Sequence, residues 1–344
     1  MMASVDVVVP CYNYGRFLGD CVASILAQKG VDLRVLIIDN ASTDDSVAVA
    51  RDLAARDRRV EILTHATNQG ATFSYNEGID WGSSEYFLIL DADDALAPGA
   101  LARAAAVLDS APGLSFTHGI ETRLEENGAE RALAARPKGP QVEVTRGEEF
   151  IQRLCRKPVN NIGANTVIRR TSVQKQAGYY RASLPYTDDL EMWLRLATLG
   201  DVASIKIPQA IRRYHASRMS VDYRQLRDFT EREAAFESFF AHEGRAIPDA
   251  EHLMAKARRG LGEHAYWSAI SHFCRGHGRA GAELLRLSHR WRPNAALLPP
   301  FQWLLKMDRP LERAAEVVSE MPPFRRRIAA GRDGSGGPDI SAAR

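Results

Sequence analysis

From Val5 to Leu90 this chain alternates short β-branched runs with segments whose apolar residues recur at helical spacing, and few folds satisfy that pattern. Val5-Asp6-Val7-Val8-Val9-Pro10, Val35-Leu36-Ile37-Ile38, Val60-Glu61-Ile62-Leu63 and Tyr86-Phe87-Leu88-Ile89-Leu90 read as strands. Between them Phe17-Leu18, Val22, Ile25 and Leu26, then Val47, Val49, Ala50 and Leu53, then Ala71 to Ile79 read as helices. Ser46 or Asp44 is placed to cap the second of these. Near-continuous apolar strands belong to parallel sheets buried on both faces. The chain is therefore expected to be α/β, a doubly wound, mostly parallel sheet flanked by helices, with its ligand at the carboxyl ends of the strands. The polar clusters Asp39-Asn40-Ala41-Ser42-Thr43-Asp44 and Asp91-Ala92-Asp93-Asp94 both fall at such ends.

Further on, Pro98-Gly99 opens an alanine-rich helix to about Leu108, and Leu114-Ser115-Phe116-Thr117 reads as a strand. Residues 123–145 are polar and read as a surface excursion or hairpin. Ile162 to Ile168 is expected to return to the sheet, and Leu190 to Leu199 to form a helix burying Leu190, Trp193, Leu194 and Leu196. Residues 225–320 are helical in pattern, with turns at Gly244, Gly276-His277-Gly278 and Arg292-Pro293 and a helical hairpin over Ala265 to Pro293. The expected organisation is a catalytic domain over 1–222, a helical C-terminal region over 223–328 and a disordered tail over 329–344.

Composition removes other classes. Cys11, Cys21, Cys155 and Cys274 are scattered without a CxxC pair, so neither a disulfide framework nor a structural zinc is expected, and the reducing cytoplasm fits. No basic segment leads an apolar stretch at the N-terminus, and no apolar run approaches the roughly 20 residues of a membrane span, so a leader or a spanning helix is not expected. Residues 251–344 carry 16 Lys+Arg against 9 Asp+Glu, net +7, while the remainder is net −5. That asymmetry points away from nucleic acid and toward a local anionic partner. The segments Pro299-Pro300-Phe301-Gln302-Trp303-Leu304-Leu305-Lys306 and Pro322-Pro323-Phe324-Arg325-Arg326-Arg327 suit peripheral contact with the inner face of a membrane. The competing reading packs Trp303 and Leu304 inside the helical region and leaves the arginines solvated.

Three carboxylates within Asp91-Ala92-Asp93-Asp94 repel one another unless a hard divalent cation relieves them, which suits Mg²⁺ or Mn²⁺ on a nucleotide diphosphate. The bland alternative is that they cap the following helix. The ring of Tyr12, just after the first strand, can stack on a base, and Asp39 can accept hydrogen bonds from a base edge or ribose. Alone, each is equally a turn or a cap.

In combination these segments resemble family-2 glycosyltransferases of the GT-A fold. The matching pieces are Val7-Val8-Val9-Pro10-Cys11-Tyr12-Asn13, Ile37-Ile38-Asp39-Asn40-Ala41-Ser42-Thr43-Asp44, Asn68-Gln69-Gly70 with Asn76-Glu77-Gly78, Leu90-Asp91-Ala92-Asp93-Asp94 and Asp188-Asp189-Leu190-Glu191-Met192-Trp193-Leu194-Arg195. They cover about residues 5–220 in the family's order. The resemblance implies an inverting, metal-dependent sugar transferase acting on a nucleotide-diphosphate sugar, a UDP-sugar foremost, and an unidentified glycan or lipid-linked acceptor in surface-glycan or polysaccharide biosynthesis. It implies a donor site of Pro10, Tyr12, Asn13, Asp39, Asn68, Asp91 and Ala92, with Tyr12 and Asp39 on the nucleobase and Asp91 on the ribose. Asp93 would hold the Mn²⁺ or Mg²⁺, beside Asp91. His215 would complete the metal shell or bind phosphate, and Arg213 and Arg218 would clamp the anion.

Relatives usually show Glu-Asp at the start of the helix carrying Trp193, the second acid being the catalytic base. Here both are Asp, so Asp189 matches the base and Asp188 is its shorter neighbour. Without the resemblance the two simply cap that helix. Where many relatives place Arg before the Asn of the third helix, this chain has Tyr75 before Asn76. A nucleotidyltransferase would require a Gly-rich, basic phosphate loop after the first strand, which Pro10-Cys11-Tyr12-Asn13 is not. A non-catalytic nucleotide-sugar-binding module would not retain the acids.

Overall fold

A computed structural model describes residues 2–124, 130–132, 140–215, 225–293 and 299–306. The chain runs β1 (Ala3–Cys11), α1 (Gly15–Leu26), β2 (Val31–Asp39), α2 (Ser46–Arg56), β3 (Val60–Thr64), α3 (Ala71–Trp81) and β4 (Tyr86–Ile89). It continues through β5 (Ala95–Leu96), α4 (Ala100–Ser110), β6 (Leu114–Leu124), β7 (Glu130–Ala132), β8 (Val142–Thr145) and α5 (Gly147–Arg156). Then come β9 (Ile168–Arg170), α6 (Thr171–Ala177), α7 (Asp188–Thr198), β10 (Asp201–Arg213) and the helices α8 (Gln225–Ala241), α9 (Ala250–Cys274), α10 (Gly278–Trp291) and α11 (Phe301–Lys306).

The strands form a single sheet in the order β3-β2-β1-β4-β9-β6-β10-β5, with β7 paired to β6 and β8 to β10. The first four are parallel, and Val7 of β1 sits between Val35 and Leu88. Val5, Val7 and Val9 are fully buried in one cluster with Leu18, Val22 and Ile25 of α1 and Leu101 and Leu108 of α4. Each such side chain withdrawn from water contributes roughly 1.5–3 kcal/mol. Val8 faces the other way, toward α3. Gly78 lets that helix close in, because a Cβ there would lie 2.6 Å from Val8 Cγ1. The connection order reverses between β1 and β4, so the crevice of this doubly wound α/β sheet opens past Pro10 on one side and Asp91 on the other.

Beyond β4 the sheet is mixed. Strand β9 is antiparallel to both β4 and β6, whereas β10 runs parallel to β6. One expectation is corrected here. Only the end of the Ile162–Ile168 segment joins the sheet, because Ala164–Thr166 forms a 3₁₀ turn in which Thr166 Oγ1 donates to the Gly163 carbonyl at 2.7 Å. Strand β10 is interior, since β6 flanks one side and β5 and β8 the other. The polar 123–145 excursion does contain a hairpin partner, β7 pairing antiparallel with the end of β6.

Two compact units divide the chain, with a crossing between Tyr223 and Arg224 and a return of residues 234–251 to the first unit. Residues 234–251 belong with the sheet because Arg181, near the start of α7, bonds Glu191, Ser238 and Glu243 together. The helical unit holds Cys155–Pro158, Arg224–Glu233 and the chain from His252 onward. Its core pairs Leu261, Ala265 and Ala269 of α9 with Leu284 of α10 and Phe229. Trp303 is 2% exposed and stacks on His264 at 4.9 Å, so it packs inside this unit rather than presenting itself to a membrane. Among the described residues no helix is long and apolar enough to cross a membrane. The tail beyond 306, including Arg325, Arg326 and Arg327, lies outside the described residues.

Asp6 anchors the amino end of β1. Its fully buried carboxylate accepts two bonds from Arg34 at 2.9 and 2.8 Å and the backbone amides of Ser83 and Ser84 at 2.6 and 2.8 Å. Burial alone would raise this carboxyl, but the Arg34, Ser84 and Ser83 bonds outweigh it and hold the group below its ordinary range. The bonds therefore stabilise the fold above the unfolded carboxylate pKa, and the contribution is lost as pH falls through the lowered folded-state value. Asp6→Ala should cost about 3 kcal/mol in urea unfolding near neutrality, with the gap to wild type closing in strong acid. A loss under about 0.5 kcal/mol at neutral pH would refute this role.

Candidate functional site

The loops after β1 and β2 are locked to each other. Asn13, with φ 59°, takes the left-handed conformation that Asn tolerates better than most residues. Its amide donates to Ser42 Oγ at 2.9 Å, and its side-chain oxygen accepts the Thr43 amide at 2.7 Å. Asp44 accepts the amides of Gly15 and Ser46, both at 3.0 Å, whereas the N-cap position of α2 is Asp45, whose side chain makes no capping bond. Ala41, also left-handed at φ 62°, turns the chain so that the Ser42 amide reaches Asp39 Oδ2 at 3.0 Å. The other oxygen, Asp39 Oδ1, is buried and has no partner among the described residues, the residue being 1% exposed. An unpaired buried carboxylate oxygen costs roughly 1–3 kcal/mol or more until a donor arrives.

A cleft of about 650 Å³ opens at these loop ends. Pro10, Tyr12 and Asn13 form one wall and Asp91, Ala92 and Asp93 another. The Tyr12 ring is 44% exposed at the mouth, open to stack on a flat ligand. Asn68 lines the cleft as expected, but its side-chain oxygen is already engaged by Asn40 Nδ2 at 2.9 Å and the Gly70 amide at 2.8 Å. Gly70, at φ 86°, makes the turn into α3 that a side chain would strain.

Carboxylate oxygens of Asp91, Asp93 and Asp94 lie within 4.8 Å of one another. They are not equivalent. Asp94 Oδ2 accepts Asn165 Nδ2 at 2.7 Å and its Oδ1 accepts the Arg213 amide at 3.1 Å, so Asp94 ties the 3₁₀ turn and the end of β10 to the acidic turn. Asp93 Oδ2 instead lies 3.0 Å from His215 Nε2. That imidazole is gripped by Phe17 at 4.6 Å and Tyr14 at 5.7 Å between centroids. Two carboxylates and an imidazole make an oxygen-and-nitrogen donor set that fits Mn²⁺, or Mg²⁺ with fewer protein ligands.

At the end of β10 the arginine that lines the cleft is not the one expected. Arg213 turns away to Asp20 at 2.9 Å, while Arg212 lines the cleft, with Glu121 at 3.6 Å. Successive strand residues point to opposite faces, and the sequence alone does not say which faces the ligand. Arg218 lies outside the described residues.

Asp188 and Asp189 begin α7. Asp189 Oδ1 accepts the Leu190 amide at 2.6 Å and Oδ2 accepts Asn160 Nδ2 at 2.7 Å, while Asp188 Oδ1 accepts the Asp189 amide at 2.9 Å. Burial raises the pKa of both. For Asp188 the charges of Asp189 and Asp91 push further, whereas for Asp189 the Leu190 amide, Asn160 and Arg212 pull back. Both carboxyls are held above their ordinary range, and Asp189 has more partners that favour its ionised form. Tyr75 lines the cleft between the two acidic groups, and burial, then Asp91 and Asp188, raise its phenol well above the ordinary value. Arg212, Asn160 and Asn165 were not singled out by the sequence, because each acquires its place through a partner distant along the chain.

The sequence pattern of the family described as Glycosyl transferase family 2 matches residues 6–176. An uncharacterized glycosyltransferase of Haemophilus influenzae is 26% identical over 227 residues, 64% of this chain and 68% of its own length. Several other relatives match over only 27% to 38% of theirs. Among solved structures, TarS of S. aureus in complex with UDP aligns with a TM-score of 0.60 at 15% identity, covering 98% of this chain and 94% of that one. The mannosyltransferase PcManGT of Pyrobaculum calidifontis, in complex with GDP-Man and Mn²⁺, aligns at 0.53 and 16% identity, covering 94% and 83%. At these identities the structures share the fold.

The unequal engagement of the acidic turn is testable through stability. Asp94→Ala should lower unfolding stability by about 1–3 kcal/mol, since Asn165 and the Arg213 amide lose a buried acceptor. Asp93→Asn, which removes charge from a crowded site, should cost less than half as much in the same chemical denaturation. The opposite ranking would contradict the division of roles.

Proposed function

Because the chain belongs to glycosyl transferase family 2, we propose that it moves a sugar from a nucleoside-diphosphate donor, a UDP-sugar in our reading, onto an acceptor hydroxyl with inversion and with a divalent metal. The observation that carries this reading is the pairing of the orphaned buried oxygen of Asp39, at the end of the strand beside β1, with the acidic turn whose Asp91 and Asp93 line the cleft. The first suits an N–H of a nucleobase, and the second suits the cation that accompanies a diphosphate. The TarS structures contain UDP or UDP-GlcNAc and that of PcManGT contains GDP-Man and Mn²⁺, which supports a nucleotide-sugar donor of this kind.

In this reading Tyr12 stacks on the base, Asp39 accepts from its edge and Asp91 bonds the ribose. Asp93 and His215, with Asp91, would hold a Mn²⁺ or Mg²⁺ that screens the diphosphate and stabilises its departure. Arg212 adds a fixed cation on the same wall. Asp189, held by the Leu190 amide and Asn160, takes the proton of the acceptor hydroxyl as that oxygen attacks the anomeric carbon opposite the diphosphate. We take the acceptor to be a hydroxyl of a surface glycan, free or lipid-linked.

Asp189→Asn keeps the shape but cannot accept a proton, so turnover should fall roughly 100-fold or more while donor affinity stays within about threefold. Asp188→Asn should be milder. Because burial raises Asp189 and the base must be ionised, wild-type activity should be full above that raised pKa and fall as pH drops through it, at a pH above the ordinary carboxylate value of about 3.9. Steady-state kinetics with a UDP-sugar panel check this, and a larger loss for Asp188→Asn than for Asp189→Asn would move the base by one residue.

A further inference from the structure

One face of α9 in the helical unit is basic. His252, Lys256 and Arg259 follow one another at helical spacing, and with Arg156 from the end of α5 and Gln302 of α11 they line a cleft of about 460 Å³. The opposite face of the helix, Leu261, Ala265 and Ala269, is committed to the core, so the basic face is left to the cleft. The acid that lines it, Glu263, is 1% exposed, and its Oε1 is held by Arg259 at 3.2 Å and Arg292 at 3.3 Å, which turns its charge inward. Among the described residues Arg156, His252 and Lys256 meet no carboxylate. Acids are not scarce in this unit, since Arg258 and Arg290 both reach Glu233 and Arg279 reaches Glu283.

We propose that this cleft is an anion site for a diphosphate group, distinct from the nucleotide-binding reading of the sheet unit and independent of it. Arg156, Lys256 and Arg259, the last shared with Glu263, repel one another, and a multiply charged anion relieves all of them at once. Arginine supplies planar paired donors and lysine a point charge, the combination that recognises phosphate oxygens. His252 lies in the first turn of α9, where the positive end of the helix adds to the same field. A diphosphate has the charge to balance these groups and fits the cleft.

The test uses the full chain in EDTA, so that no divalent cation recruits the probe to the acidic cleft. Inorganic pyrophosphate, titrated by calorimetry, should bind saturably, weaken with added salt and lose roughly tenfold or more in affinity in an Arg156→Ser/Lys256→Gln double variant. Without ligand that variant should melt at or above the wild-type temperature, because like charges have been removed; a merely structural pair would melt lower. A second arm sediments the protein with phosphatidylcholine vesicles with and without phosphatidic acid. Capture by the acidic vesicles that pyrophosphate competes away, and that the double variant loses, assigns the phosphate to a lipid. Pyrophosphate binding with the protein remaining in the supernatant assigns it to a soluble ligand. Equal pyrophosphate affinity in wild type and double variant, or no saturable binding, overturns the site.

Discussion

Electrostatic crowding at the end of β4 is the constraint around which the sheet unit is arranged. Three carboxylates from four consecutive residues stand within 4.8 Å of one another, and such proximity is tolerated only where each charge is answered. Asp94 is answered by amide donors, Asn165 Nδ2 and the Arg213 backbone, which also fix the 3₁₀ turn and the end of β10. Asp93 meets the ring of His215. Asp91, half-buried, lines the cleft together with Asp93. In the proposed function a divalent cation would complete this balance, which would make metal binding and donor binding one event.

The rest of the cleft is organised by backbone contacts rather than by charge. Asn13 and Ala41 both adopt left-handed conformations, and the bonds among Asn13, Ser42, Thr43 and Asp44 hold the first two loops as one surface. The consequence is an Asp39 carboxylate with one oxygen satisfied and the other waiting in a buried position. At the far side, α7 begins with two buried carboxylates, both held above their ordinary range by burial, with the Leu190 amide, Asn160 and Arg212 favouring the ionised form of Asp189.

What could be read in the sequence followed strand ends. Asp39, Asp91 and Asp93 were legible because a β-branched run stopping at an acid places that acid at a carboxyl end, whichever helix packs beside it. The alternation of strands and helices up to Leu90 and the helical hairpin over Ala265 to Pro293 were legible from periodicity. Arg212 was not, since adjacent strand residues face opposite ways and only the packed structure shows Arg213 on Asp20. Asn160 and Asn165 were not, because their roles come from Asp189 and Asp94, which lie 29 and 71 residues away. The three-residue β9 escaped for the same reason, its place being set by antiparallel partners in β4 and β6 and not by its own composition.

The linkage of cation to nucleotide is the claim on which the functional reading most depends, and calorimetry with UDP measures it directly. The account predicts that UDP binds wild-type protein in Mn²⁺, that EDTA weakens binding by roughly tenfold or more, and that Asp93→Ala shows the weak affinity in either buffer. Equal affinity of the wild-type protein for UDP in Mn²⁺ and in EDTA would contradict it.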